Sequence, residues 1–160
     1  VLHAAAFYLL LAWPLPAAPL PIHTPGPAPA FQVRALDGRV WTQPGLGKGC
    51  VLVDFWASWC QPCLQEIPAL NALQAKYGPS GRLAVLGLSL DKGGEPAVRA
   101  AAQRLGVAYA VAPVDGKVAE AYGVKGFPSA VLLRGGRVAL VLEGRRSLAG
   151  FEAELGPYLR

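Results

Sequence analysis

The chain has no methionine, only three cysteines and only two histidines among its 160 residues. Three cysteines do not make a disulfide framework in a chain this long, so they point to reactive or buried thiols and not to covalent staples. Both histidines, His3 and His23, precede the region with regular apolar patterning, which leaves no imidazole there to complete a metal site. Charge is also scarce: charged residues are 16% of the chain, and the net charge of +5 comes from scattered basic residues, densest at Arg134, Arg137, Arg145 and Arg146. No run of Lys or Arg is interleaved with aromatics, so nothing supports nucleic-acid binding. A basic face remains compatible with an anionic lipid surface or an acidic partner. With Val at position 1, the expectation is either a Val start codon read literally or a true start further upstream.

What is present is apolar, 53% of the residues, and it falls into three segments. Residues 1–13 are apolar and helix-compatible, like a signal h-region or the end of a membrane anchor. As a helix they would span about 20 Å, short of a hydrocarbon core of ~30 Å. A proline follows or interrupts each small-residue cleavage site, as at Ala17-Ala18-Pro19, which favours an uncleaved anchor over a cleaved signal. Residues 14–30 hold seven of the 15 prolines and read as a polyproline-type linker, reaching roughly 40 to 50 Å when extended. Residues 31–160 are the expected domain, long enough to bury a core without staples.

Within that domain the pattern alternates between strand and helix. Residues 31–36 and 39–42 flank Asp37-Gly38 as a hairpin. After a Gly/Pro-rich loop, residues 51–56 form a near-continuous apolar strand, as expected when helices cover both faces of a sheet. A helix over 62–77 turns Leu64, Ile67, Ala69, Leu70 and Leu73 to the sheet, with a kink expected at Pro68 and an end at Gly78-Pro79. Residues 83–90 are a second buried strand, and two such strands joined by a helix imply a right-handed crossover with parallel pairing. A helix at 95–105, a short strand within 107–113, a short helix at 116–122 and a hairpin of 130–133 with 137–142 follow. Ser147 is placed to cap a last helix running to Leu159.

The chemistry concentrates where the strand at 51–56 meets the following helix. Cys60 and Cys63 are three positions apart on the first helical turn, within disulfide reach. The first thiol faces the unpaired N–H groups and the positive end of the helix dipole. Cysteines so placed titrate between ~3.5 and 7.5, against ~8.5 for a free thiol. A purely structural disulfide closing so short a loop would constrain the unfolded chain little, so redox chemistry is the stronger reading. Asp54 lies on the buried strand, where desolvation should raise its carboxyl and suit it to take the proton of Cys63; packing or hydrogen bonding alone is the alternative. Trp56 reads as core. Cys50, at the strand start, reads as a buried small side chain, with a third redox partner as the alternative.

The run Val-Asp-Phe-Trp-Ala-Ser-Trp-Cys-Gln-Pro-Cys (53–63) resembles the active-site segment of the thioredoxin superfamily. Glu66-Ile67-Pro68 and Tyr122-Gly-Val-Lys-Gly-Phe-Pro-Ser129 are similar to the TlpA/ResA/DsbE-like branch of membrane-anchored thiol–disulfide oxidoreductases. The resemblance covers residues 27–160. It implies an α/β thioredoxin-like fold: a central mixed sheet flanked by helices, an N-terminal β-hairpin and a central strand-helix insertion. It implies Cys60 as nucleophile and Cys63 as resolving thiol, with Asp54, Glu66 or both handling protons; one of the two acids can be redundant, and packing or hydrogen bonding alone is the alternative for Glu66 as for Asp54. It places Trp59, Gln61, Pro62, Phe127 and Pro128 at the substrate, Phe127-Pro128 matching the family's cis-proline loop. Phe127 departs from the smaller or β-branched residue common there, which bears on the shape of the groove.

By the same resemblance the protein works outside the cytoplasm without a cofactor or metal, reducing cysteines of apocytochrome c or of a copper-oxidase assembly partner. A membrane donor of the CcdA/DsbD type would re-reduce it, and the N-terminal segment would hold it at the membrane. The alternatives are a general disulfide reductase or oxidant, and a Cys-x-x-Cys copper-binding chaperone. A peroxidase reading lacks a Thr-x-x-Cys element.

Overall fold

The computed structural model describes residues 26–43 and 49–160. The apolar segment 1–13, most of the proline-rich segment and the loop at 44–48 lie outside the described residues. In chain order the elements are β1 (Gly26–Pro27), β2 (Phe31–Arg34), β3 (Val40–Gln43), β4 (Cys50–Trp56), α1 (Gln61–Tyr77), β5 (Leu83–Ser89) and α2 (Gly94–Leu105). They continue with β6 (Ala110–Pro113), α3 (Gly116–Ala121), β7 (Ser129–Arg134), β8 (Arg137–Glu143), α4 (Leu148–Leu155) and a 3₁₀ turn at Gly156–Tyr158.

β4 organises the rest because every one of its residues is buried. It pairs with β5 in parallel and with β7 antiparallel, inside a six-stranded mixed sheet ordered β1-β8-β7-β4-β5-β6. The strand period of two sends Leu52 and Trp56 to one face and Val51, Val53 and Phe55 to the other. The first face packs against Leu70 and Leu73 of α1, Val98 of α2, and Phe151 and Leu155 of α4. The second packs against Phe31 and Val33 of the β2–β3 hairpin and against Ala119 and Tyr122 at α3. Helices on one side and a hairpin with a short helix on the other therefore enclose the strand, as its unbroken apolar run requires. Cys50 is buried at the start of β4, its thiol donating to the Tyr158 carbonyl at 3.5 Å.

Two boundaries differ from the expectation by more than two residues. The sheet begins at Gly26, inside the stretch read as linker, because Gly26 and Pro27 pair with Val138 and Arg137 and Ala28 N–H donates to Gly136 O at 3.0 Å. Prolines at 27 and 29 alternate with residues that have an N–H, so an edge strand can turn its donors inward and its prolines outward. The last helix stops at Leu155, where Gly156-Pro157 tightens the chain into the 3₁₀ turn. α1 is a single helix across Pro68, which sits on its exposed side.

Gly87 of β5 shows how tightly the helical face is filled. A Cβ there would meet Trp56 Nε1 and Tyr109 Cε2, both at 3.0 Å, and both rings are buried. Gly87→Ala is expected to destabilise the protein by about 1–3 kcal/mol through overpacking. Urea unfolding checks this, and an unchanged midpoint would show that the two rings yield freely.

Candidate active site

β4 delivers the chain to the edge of the sheet, and residues 57–59 turn it into α1. Asp91, just past β5, holds this turn in place. Its carboxylate accepts from Ser58 N–H at 3.0 and 3.1 Å, from Ser58 Oγ at 2.8 Å and from Ser89 Oγ at 2.9 Å. Leu90 N–H to Trp56 O at 3.0 Å fastens the same two strand ends. Nothing in the local pattern around residues 83–90 singles out Asp91. The available signal was a carboxylate at the C-terminal edge of a parallel pair, where α/β sheets place their sites.

Cys60 is the N-cap of α1, with extended backbone (φ −89°, ψ 96°), and its Sγ accepts the Cys63 N–H at 3.3 Å. The two cysteines form a disulfide with Cα atoms 5.3 Å apart. Cys60 is 6% exposed and Cys63 2%, so the bond is largely covered and its outer sulfur belongs to Cys60. Gln61 and the helix-starting Pro62 are exposed beside it. Pro62 has no N–H to offer, and the first turn carries no acidic side chain to oppose a thiolate.

Trp59 is 66% exposed and meets the Phe127 ring edge-on, with centroids 5.8 Å apart. That contact brings the Phe127-Pro128 loop, whose peptide bond is cis, against the turn leading to Cys60. Pro128 is buried, and its carbonyl accepts from Gly144 N–H at 2.9 Å. Beside it lies an open groove of about 320 Å³ lined by Lys125, Gly126, Phe127, Pro128, Glu143 and Gly144.

Two carboxyl groups are buried on the side of the sheet that carries the cysteine pair: Asp54 falls on the same face of β4 as Leu52 and Trp56, and Glu66 follows Cys63 on α1. Asp54, on β4, is 2% exposed, and its Oδ1 has no hydrogen-bond partner among the described residues. Burial pushes its carboxyl well above the usual range, and the charge of Glu66 adds to the rise. Glu66, three residues past Cys63 on α1, is also 2% exposed. Burial raises it, while the Arg146 N–H bonded to its Oε1 at 2.6 Å and the charges of Arg146 and Arg145 pull it back, leaving it at about 7. The Tyr109 hydroxyl, buried without a partner among the described residues, is driven well above its ordinary value by burial and by both acids. A carboxyl that titrates near neutrality can accept and return a proton at physiological pH. Among the described residues no group of three or more His, Cys, Asp or Glu side chains is placed to hold a metal ion.

Fold and site together define a thioredoxin-like protein with a paired cysteine at a helix head, a cis-proline loop against the preceding turn and buried acids on the same side of the sheet. The AhpC/TSA family model matches residues 25–138, and the chain belongs to that family, among relatives described as thiol–disulfide oxidoreductases. It is 33% identical to the thiol–disulfide oxidoreductase ResA of Bacillus anthracis over 80% of this chain and 74% of that one. It is 33% identical to the thioredoxin-like protein YneN of Bacillus subtilis over 66% of this chain, spanning 62% of YneN. A crystal structure of a thiol:disulfide interchange protein DsbE from Chlorobium tepidum superposes with a TM-score of 0.74 at 32% identity, covering 83% of this chain and 95% of that one. The α/β thioredoxin-like fold and the thiol–disulfide oxidoreductase class are thereby established.

The buried acids have a measurable effect on stability. Glu66 shifts from 4.5 to about 7 on folding, so between those values the folded protein keeps a proton that the unfolded chain has released. Stability therefore falls as pH rises through that window and levels off above it. Glu66→Gln is expected to remove this slope, gaining on the order of 3 kcal/mol over the parent between about pH 4 and about pH 8. Urea unfolding at the two pH values checks it, and a constant difference would contradict the shift.

Proposed function

We propose that this chain is an extracytoplasmic, membrane-tethered oxidoreductase that reduces disulfides of a protein partner, with apocytochrome c or a copper-oxidase assembly protein as its substrate. The carrying observation is the Cys60–Cys63 disulfide at the head of α1, with Trp59 of the preceding turn meeting Phe127 of the cis-proline loop. The family resemblance supports the substrate class, the extracytoplasmic site of action and a CcdA/DsbD-type membrane donor. Residues 1–13 supply the tether. Among the described residues no helix is long and apolar enough to cross a membrane.

In the reduced protein the Cys60 thiolate attacks one sulfur of the substrate disulfide, forming a mixed disulfide and releasing the other substrate sulfur as thiolate. Cys63 then gives its proton to a buried carboxylate, Glu66 or Asp54, and its sulfur attacks Cys60 Sγ. The substrate leaves with the electron pair of the broken bond, and the Cys60–Cys63 disulfide closes. Two electrons pass to the substrate, and an external dithiol must return them before the next turnover. The second attack is intramolecular, so its effective concentration far exceeds that of any free thiol. An incoming substrate strand lies along the Phe127-Pro128 loop, where backbone pairing gives affinity and Trp59, Gln61 and Pro62 meet neighbouring side chains.

Trapping tests this reading. Cys60→Ser is expected to reduce DTT-driven insulin reduction to the uncatalysed rate, while Cys63→Ser accumulates a mixed disulfide between Cys60 and its partner. Mass spectrometry of species trapped by Cys63→Ser in membranes should return a cytochrome c or copper-oxidase assembly protein. A Cys60→Ser variant that turns over at the parental rate would overturn the chemistry, and a trapped set without such partners would overturn the substrate. A Cu(I) titration that gave tight stoichiometric binding without turnover would point instead to a copper chaperone.

A further inference from the structure

Arg146 was noticed in the sequence only as part of a basic group. It sits between β8 and α4, and its backbone N–H is the hydrogen-bond donor to Glu66 Oε1, at 2.6 Å and 80 residues away in sequence. Its side chain, 21% exposed, folds back along its own loop. Nη1 donates to the carbonyl oxygens of Glu143 and Gly144, and Nε pairs with Glu154 Oε1 of α4 at 3.0 Å. Gly144, turned at φ +81°, in turn donates its N–H to the Pro128 carbonyl at 2.9 Å. One guanidinium therefore grips a short loop whose two ends hold different parts of the site: a buried acid next to the cysteines and the cis-proline beside the groove.

We propose that Arg146 is a positioning residue for disulfide exchange: its grip on residues 143–146 holds the Glu66 carboxyl and the Pro128 carbonyl as one unit. The role rests on the assignment of Glu66 and the cis-proline loop made above. It depends on the planar fork, because two carbonyls and a carboxylate are engaged at once by donors in fixed directions, a geometry that a lysine ammonium does not reproduce. Once the fork is gone, nothing on the side chain keeps the 143–146 backbone at its present spacing, and the N–H that favours the ionised form of Glu66 drifts away. Glu66 then holds its proton to higher pH. The charged and titratable groups around it are Arg145 and Arg146 on this loop, Asp54 on β4 and Tyr109 ahead of β6.

The test is the pH profile of mixed-disulfide resolution in single turnover, with steady-state KM measured alongside. Arg146→Met is expected to move the rising limb to higher pH by roughly one unit, a typical effect of losing a hydrogen bond to the ionised carboxylate. KM is expected to rise more than kcat falls, since the groove loses its anchored proline carbonyl. Arg146→Lys keeps the charge without the fork and should behave like Arg146→Met. Arg145→Met, which removes a charge alone, should shift the limb much less. A parental profile in Arg146→Met, or full rescue by Arg146→Lys, overturns the proposal. Should Arg146→Met fail to fold, Arg146→Lys decides the question by itself, a shifted limb supporting the proposal and a parental limb overturning it. Failure of the underlying exchange reading is separately visible, as normal turnover by a Cys63→Ser protein.

Discussion

Everything in this molecule turns on where α1 is obliged to begin. A helix leaves its first N–H groups without partners inside the helix, and here one of those N–H groups, on Cys63, is taken by the sulfur of Cys60. The sulfur is thereby set in the field of the helix dipole, where negative charge is favoured. Such a position is useful only if it does not wander. β4 secures it from one side, buried at every residue, and Asp91 secures it from the other through Ser58 and Ser89. The sheet is the rigid support, and the reactive atom sits at its rim.

The same arrangement carries a cost that the rest of the fold absorbs. Two carboxyl groups are buried on the side of the sheet that carries the cysteines, one with an oxygen that finds no partner among the described residues; burial holds protons on both at pH values where exposed acids have none, and the charge of Glu66 adds to the effect at Asp54. Burial of such groups is unfavourable for folding, and perturbed acids cluster at sites where proton affinity is put to use. Large apolar residues on both faces of β4 offset the expense. The two acids differ in their surroundings: a backbone N–H and two arginines leave Glu66 at about 7, while Asp54 stays well above its usual range.

Much of this architecture was legible in the residues. Unbroken apolar runs gave β4 and β5 and their parallel pairing, and Ser147 caps α4 by accepting the Gly150 N–H, as expected from its place before an amphipathic run. The geometry at residues 60–63 and the cis bond at Phe127-Pro128 also follow the motif and the family resemblance. What escaped was long-range and polar. Asp91 and Arg146 act through contacts 33 and 80 residues distant in the chain, and no periodicity in a sequence records such pairings. The first strand escaped for a different reason: alternate prolines look like a linker until a neighbouring strand offers a partner for the N–H groups between them.

The proposition that a helix-capping sulfur is poised as thiolate can be measured without any partner protein. In the reduced protein, the rate of alkylation of Cys60 followed against pH reports its ionisation directly. The account predicts a midpoint between ~3.5 and 7.5, the range of cysteines held at helix N-termini in Cys-x-x-Cys motifs. A midpoint near that of a free thiol, ~8.5, would contradict it.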